Sequence, residues 1–145
     1  MLIENNNNDF ICINADSSEL VRIRDFVLLK AKAFGFDETT ATKITLAVDE
    51  ACTNLIEHSY KFDRSREICI KIDTNDSKFT VLILDDGNSF DPLSKQKLDM
   101  SEYINNIRRG GLGIHIIRLV MDEIKYFPRS HNSPKNILML TKYIH

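Results

Sequence analysis

Three groups of residues in this 145-residue chain could do chemistry. Glu50 and Asn54 lie four residues apart, so on a helix they share one face. Neither is a natural core filler, because buried carboxylates and amides need partners. Ala47 and Ala51 beside them leave space for something to approach. Taken alone, the pair reads as a solvated helix face. His58, a turn further on, reads as a helix-end residue. The second group is Asp85-Asp86-Gly87 at the end of an apolar run. A carboxylate there can accept a hydrogen bond from a ligand while the glycine lets the backbone come close. Its ordinary reading is a strand-ending turn.

The third group is Arg109-Gly110-Gly111-Leu112-Gly113, which opens an apolar helix and holds three of the five glycines. Backbone N–H groups freed by glycine, with the positive helix terminus, suit an anion, and an adjacent arginine suits a terminal phosphate. A flexible linker plus a cap is the bland reading. The run is not G-x-x-x-x-G-K-[ST], nor does a G-x-G-x-x-G follow a strand, so neither of those nucleotide-binding schemes applies.

The elements that must position these residues follow from periodicity. Phe10 to Ile13 reads as a short strand, after an asparagine-rich lead-in over residues 1–8. Asp16 and Ser17 offer N-cap oxygens. Leu20, Ile23, Val27 and Ala31 then carry a helical stripe to about Phe34, where Gly35 stops it. Asp37 caps a second helix running to about Tyr60, with Ile44, Leu46, Ala47, Ala51, Leu55 and Ile56 in helical period. Strands follow over Glu67 to Asp73 and Lys78 to Leu84, joined by a turn at Thr74-Asn75-Asp76-Ser77. From Asp85 to Arg109 there is no sustained period apart from a short helix near Glu102-Ile107, which reads as a functional lid or disorder. A helix from Ile114 to about Met121 and strands at Glu123-Phe127 and Asn136-Tyr143 close the chain. Grouped strands and grouped helices predict a two-layer α+β sandwich with a mixed or antiparallel sheet.

Bulk properties narrow the class. The length fits one domain with one core. With 43% hydrophobic and 28% charged residues, the chain is an ordinary globular composition. A net charge of -2 argues against a nucleic-acid binder. Cys12, Cys52 and Cys69 form no C-x-x-C pair, and their apolar neighbours predict buried free thiols, in keeping with a reducing cytosol. The start, Met1 to Asp9, has no basic and apolar signal pattern, and no apolar run is long enough to span a bilayer. The expected location is therefore cytoplasmic.

Taken together and in order, the three groups resemble a known family. Ala47-Val48-Asp49-Glu50-Ala51-Cys52-Thr53-Asn54-Leu55-Ile56-Glu57-His58 resembles the N box of the GHKL ATPases, in the form found in anti-sigma-factor serine kinases. Leu84 to Pro92 resembles the first glycine box, and Arg109 to Ile114 the second. The resemblance runs from about Phe10 to Tyr143. It implies a single domain with a Bergerat-type α+β sandwich, a mixed sheet with helices on one face, and an ATP lid over residues 86–109. It also implies roles. Asn54 would hold Mg²⁺ and Glu50 would be the general base. Asp85 would accept from the adenine amino group, with Gly87 allowing close approach. The Gly110, Gly111, Leu112 and Gly113 segment would cradle phosphates, and Arg109 would meet the terminal phosphate. Two positions depart from the family pattern. Ser89 stands at the second glycine of the first box, and Lys135-Asn136 stands where many members carry Gly-Thr, leaving Asn136 as the residue to substitute there.

The activity so implied is transfer of phosphate from ATP to a serine of a small STAS-type anti-anti-sigma antagonist. The same protein would hold a sigma factor inactive and would form a homodimer, without direct nucleic-acid or membrane contact. Two other functions compete: a related switch kinase controlling a phosphatase or signalling complex, and a nucleotide-binding adaptor without catalysis. Glu50 speaks against the adaptor, which has no need of a base. A DNA-binding regulator would need a basic recognition helix, which is lacking.

Overall fold

The computed structural model describes residues 9–87 and 113–145. In chain order its elements are β1 (Phe10–Asn14), α1 (Leu20–Phe34), α2 (Glu38–Asn54), β2 (Glu67–Thr74), β3 (Lys78–Asp85), α3 (Gly113–Val120), β4 (Glu123–Phe127) and β5 (Asn136–Tyr143). A 3₁₀ turn, Ser17–Glu19, leads into α1, and a π-helical turn, Leu55–Ser59, extends α2.

Helix starts and stops follow the caps. The Asp16 carboxylate accepts from the Ser18 N–H at 3.0 Å, and Asp37 accepts from the Thr40 N–H at 2.7 Å. Gly35 ends α1 with φ at 126°, in the region that favours glycine. Leu20, Ile23, Val27 and Ala31 are the buried stripe of α1. The buried face of α2 is Ala41, Ile44, Thr45, Ala47, Val48, Ala51 and Cys52. Leu46 is exposed, contrary to its place in the expected stripe.

The five strands form one sheet in the order β1-β2-β3-β5-β4. Every pairing is antiparallel, so the sheet is not mixed. The β2–β3 hairpin dictates one of those pairings: Asn75 Oδ1 accepts from the Ser77 and Lys78 N–H groups at 3.0 and 2.9 Å and closes a tight turn. Alternate residues Ile68, Ile70 and Ile72 of β2 and Phe79, Val81 and Ile83 of β3 face the helices and are fully or almost fully buried. Each such side chain contributes roughly 1.5–3 kcal/mol by leaving water. Helix α3 packs on α2 and adds Ile117 to the core. Among the described residues no helix is long and apolar enough to cross a membrane.

The cysteines correct the expectation of three free thiols. Cys12 and Cys69 are register partners across β1 and β2 and form a disulfide, while Cys52 alone is free and buried. Their apolar neighbours reflected strand burial and carried no information about the pairing partner. The cysteines therefore no longer argue for a reducing compartment.

Candidate functional site

Glu50 and Asn54 occupy the last two turns of α2, both half-buried. Neither side chain makes a hydrogen bond among the described residues. Both side chains thus keep hydrogen-bonding capacity that a ligand or water can take up. The Glu50 carboxyl is pushed above its ordinary value, first by desolvation and then by the negative charges of Asp49 and Glu57. That shift suits a proton acceptor, which works best with a pKa nearer neutrality. Ala47 and Ala51 are buried in the core rather than lining an opening among the described residues. His58 is exposed on the π-helical turn, 4.0 Å from the Glu57 carboxylate.

The π-helical turn follows Asn54 directly, and the Tyr60 N–H closes on the Leu55 carbonyl at 2.8 Å. Such turns inside helices are frequent at functional sites. Lys61 and Phe62 then take positive φ, 50° and 65°. Two consecutive non-glycine residues in that region cost about 1–2 kcal/mol each and persist only where neighbours hold them.

Asp85 ends β3 and is buried. Its Oδ1 accepts from the Gly87 N–H at 2.9 Å and from Asn136 Nδ2 at 3.0 Å. Among the described residues both hydrogen bonds fall on Oδ1, so Oδ2 is left for a ligand donor. Desolvation raises the Asp85 pKa, against the opposing effect of the Asn136 and Gly87 hydrogen bonds. Asn136 is fully buried at the start of β5, opposite Asp85 in the β3–β5 ladder. Its second amide proton goes to the Gly87 carbonyl at 3.0 Å, and its Oδ1 accepts from the Arg129 N–H at 2.8 Å. Both donor protons of Asn136 are thus committed, and its part at the site is to hold Asp85 and Gly87 in place.

Gly87 sits against the end of the α2 extension. A Cβ there would lie 3.1 Å from Tyr60 Cε1, 3.3 Å from Ser59 Cβ and 3.3 Å from Asp85 Oδ1. Charge from Asp85 also reaches Cys52 on α2, whose buried thiol is raised above its ordinary value chiefly by desolvation. The turn after β3 and the Glu50–Asn54 end of α2 therefore belong to one locality.

Sequence reasoning missed the residues around Asp86. Arg66, Tyr60, Arg129 and Lys135 converge on it from two segments far apart in the chain, before β2 and after β4, and no spacing rule ties them together. Arg109, Gly110, Gly111 and Leu112, and most of the expected lid, lie outside the described residues; Gly113 begins α3. Elsewhere, Cys12, Glu67 and Cys69 bring their ligand atoms within 4.8 Å of one another, but the two sulfurs are bonded together and offer no thiolates to a metal.

An all-antiparallel sheet carrying helices, with an acid and an amide on a helix end beside a buried aspartate and glycine at a strand end, is the α+β arrangement of the histidine-kinase-like ATPase class. The family model described as the histidine kinase-like ATPase domain matches residues 13–142, and the chain belongs to that family. Among its relatives are proteins named serine-protein kinase RsbW. That of Bacillus subtilis (strain 168) is 30% identical over 96% of this chain and 88% of its own length. That of Bacillus thuringiensis (strain Al Hakam) is 31% identical over 90% of this chain and 79% of its own. That of Bacillus velezensis is 30% identical over 79% of this chain and 71% of its own.

Proposed function

We propose that the chain is an ATP-dependent serine protein kinase that also acts as an anti-sigma factor. It binds a sigma factor and phosphorylates a serine of a STAS-type anti-anti-sigma antagonist, in the cytoplasm and as a homodimer. The observation that carries the reading is the pair of half-buried side chains, Glu50 and Asn54, without hydrogen-bond partners among the described residues, on the helix end next to the Asp85–Gly87 turn. The likeness to serine-protein kinases over nearly the whole chain supports it.

In this reading Asp85 Oδ2 accepts from the adenine amino group, and Gly87 gives the base room. Glu50 takes the proton of the serine hydroxyl as its oxygen attacks the terminal phosphorus and ADP leaves. Asn54 offers a hard amide oxygen, which fits Mg²⁺ and needs only phosphate and water oxygens to complete the shell. Bound there, Mg²⁺ would neutralise charge on the phosphates. The Gly110, Gly111, Leu112 and Gly113 backbone cradles the phosphates, Arg109 meets the terminal one, and residues 86–109 form the lid over them.

The test is transfer of labelled phosphate from ATP to purified candidate antagonists, with co-precipitation of sigma factors in parallel. Label on a serine of one antagonist, with a sigma factor retained, is the expected result. ATP binding without transfer to any antagonist would instead favour a non-catalytic adaptor, and retention of a phosphatase would favour the related switch kinase.

A further inference from the structure

We propose that Tyr60, Arg66 and Arg129 form a clamp on Asp86 that positions the base-recognising Asp85–Gly87 turn. The proposal rests on the reading of Asp85 as the acceptor for adenine. The backbone N–H, the carbonyl and Oδ1 of Asp86 are all hydrogen-bonded. Its N–H donates to the Tyr60 hydroxyl at 3.1 Å. Its carbonyl accepts from Arg66 Nη2 at 2.7 Å and from Arg129 Nη1 at 2.8 Å. Its Oδ1 accepts from Arg66 Nη2 at 3.1 Å and Nε at 3.3 Å, and Lys135 Nζ lies 3.8 Å from Oδ2. With its backbone groups and Oδ1 committed, Asp86 acts as the part that is held.

The clamp ties both halves of the site together. Tyr60 follows the π-helical turn that extends the Asn54 helix, and its hydroxyl donates to the Glu67 carbonyl at 2.6 Å while accepting from Asp86. The Arg66 guanidinium stacks 5.0 Å from the centre of the Tyr60 ring, so one side chain braces the other. The left-handed Lys61 and Phe62 lie between them, and Phe62 N–H is fixed on the Ile56 carbonyl at 2.8 Å. That backbone brings Tyr60 and Arg66 to the same aspartate. Arg129 joins the opposite side, since its own N–H donates to Asn136 Oδ1. Asn136 holds Asp85 and Gly87, and the clamp holds the residue between them. A planar, forked guanidinium suits this task, because it can grip a carbonyl and a carboxylate at once; a lysine ammonium cannot reproduce the fork.

The experiment measures Mg²⁺-ATP affinity by calorimetry on the whole chain, well below the Tm of each variant. Inorganic tripolyphosphate serves as a second probe that has phosphates but no base. Arg66→Ala and Arg129→Ala are each expected to raise the ATP Kd about tenfold while the tripolyphosphate Kd stays within about twofold. Arg66→Lys is expected to restore little of the loss. In the kinase assay the loss falls on the KM for ATP and not on kcat. An unchanged ATP Kd in Arg66→Ala, with wild type binding normally, would overturn the clamp alone. Equal weakening of ATP and tripolyphosphate would overturn it too, since the effect would then be general to the fold. A wild type that binds no ATP would overturn the nucleotide-site reading and the clamp with it.

Discussion

Asn136 faces Asp85 across the β3–β5 ladder and donates one amide proton to its Oδ1 at 3.0 Å, while the other goes to Gly87. One neutral side chain thus fixes the acid and the glycine of the first glycine box from below. Lys135-Asn136 departs from the Gly-Thr that many members carry, yet the departure supplies a donor pair a threonine hydroxyl could not match, since a hydroxyl has a single proton.

Asn136→Leu should therefore cost about 2–4 kcal/mol, because the buried Asp85 carboxylate loses a hydrogen bond and no water replaces it. The deficit should be largest at neutral pH and shrink as Asp85 becomes protonated. Urea unfolding of both proteins between pH 4 and 7 measures this. A deficit independent of pH would mean that Asp85 is not what suffers.

Asp85→Asn separates stability from binding. The raised pKa of Asp85 means that folding favours its protonated form. The sign follows: its contribution to stability is present below the unfolded pKa and is lost as pH rises through the folded one. Removing the charge should leave stability at pH 7 unchanged or slightly higher. An asparagine whose oxygen keeps the Gly87 and Asn136 bonds turns its NH₂ toward the adenine amino group, donor against donor. ATP affinity should fall roughly 10- to 100-fold. Calorimetry with and without Mg²⁺, beside a thermal melt, reads both quantities.

Gly87→Ala probes the close approach. The added methyl would press on Tyr60, Ser59 and the Asp85 carboxylate at 3.1–3.3 Å, and the Tyr60 hydroxyl is itself fixed between the Glu67 carbonyl and the Asp86 N–H. A loss of about 1–2 kcal/mol in stability is expected, with weaker ATP binding. The magnitude is read from the shift in denaturation midpoint at constant slope.

Much of this was legible in the sequence, and the exceptions share a cause. Asp37, Gly35 and the Asn75 turn act through neighbours in the chain, so α1, α2 and the β2–β3 hairpin could be read from local types and spacing. The four-residue spacing of Glu50 and Asn54 puts them on one helix face, but alone it reads as a solvated face; only the order of the three motifs singled the pair out. What could not be read depends on which strands meet. The Cys12–Cys69 bond follows from β1–β2 register, the Asp85–Asn136 bond from β3–β5 register, and the grip on Asp86 from loops before β2 and after β4. Local patterns carry no register. Ala47 and Ala51 were misplaced for a related reason, since a small residue beside a site and a small residue packed in the core look alike in sequence.

Glu50 makes a statement about pH. Its carboxyl is raised by desolvation first, with Asp49 and Glu57 adding repulsion. If Glu50 accepts the serine proton, kcat should rise with pH through its pKa and then level off. Asp49→Asn removes one repelling charge, so the midpoint should move to lower pH with the plateau little changed. Glu50→Gln should keep ATP binding and lower kcat by about 10²- to 10⁴-fold. Transfer at the wild-type rate in Glu50→Gln would remove Glu50 from the mechanism.

The disulfide makes the last prediction. Cys12 lies on an edge strand of five residues, held to the sheet by β2 alone. The bond to Cys69 closes a loop across 57 positions that contains all of α1 and α2, and so Glu50 and Asn54. Closing a loop of that length restricts the unfolded chain and is worth about 4 kcal/mol on the entropic model. For a domain of this size, reduction should lower Tm by roughly 10–15 °C. Cys69→Ser should melt at the same temperature as the reduced wild type and should not respond to reductant. Cys52→Ser serves as the contrast, because that thiol is free and buried and takes no part in the cross-link. Whatever the position of its melt, it should keep the full response to reductant. A wild-type Tm that is the same in oxidising and reducing buffer would mean that the edge strand is held by its ladder and the Ile11 and Ile13 packing without help from the bond.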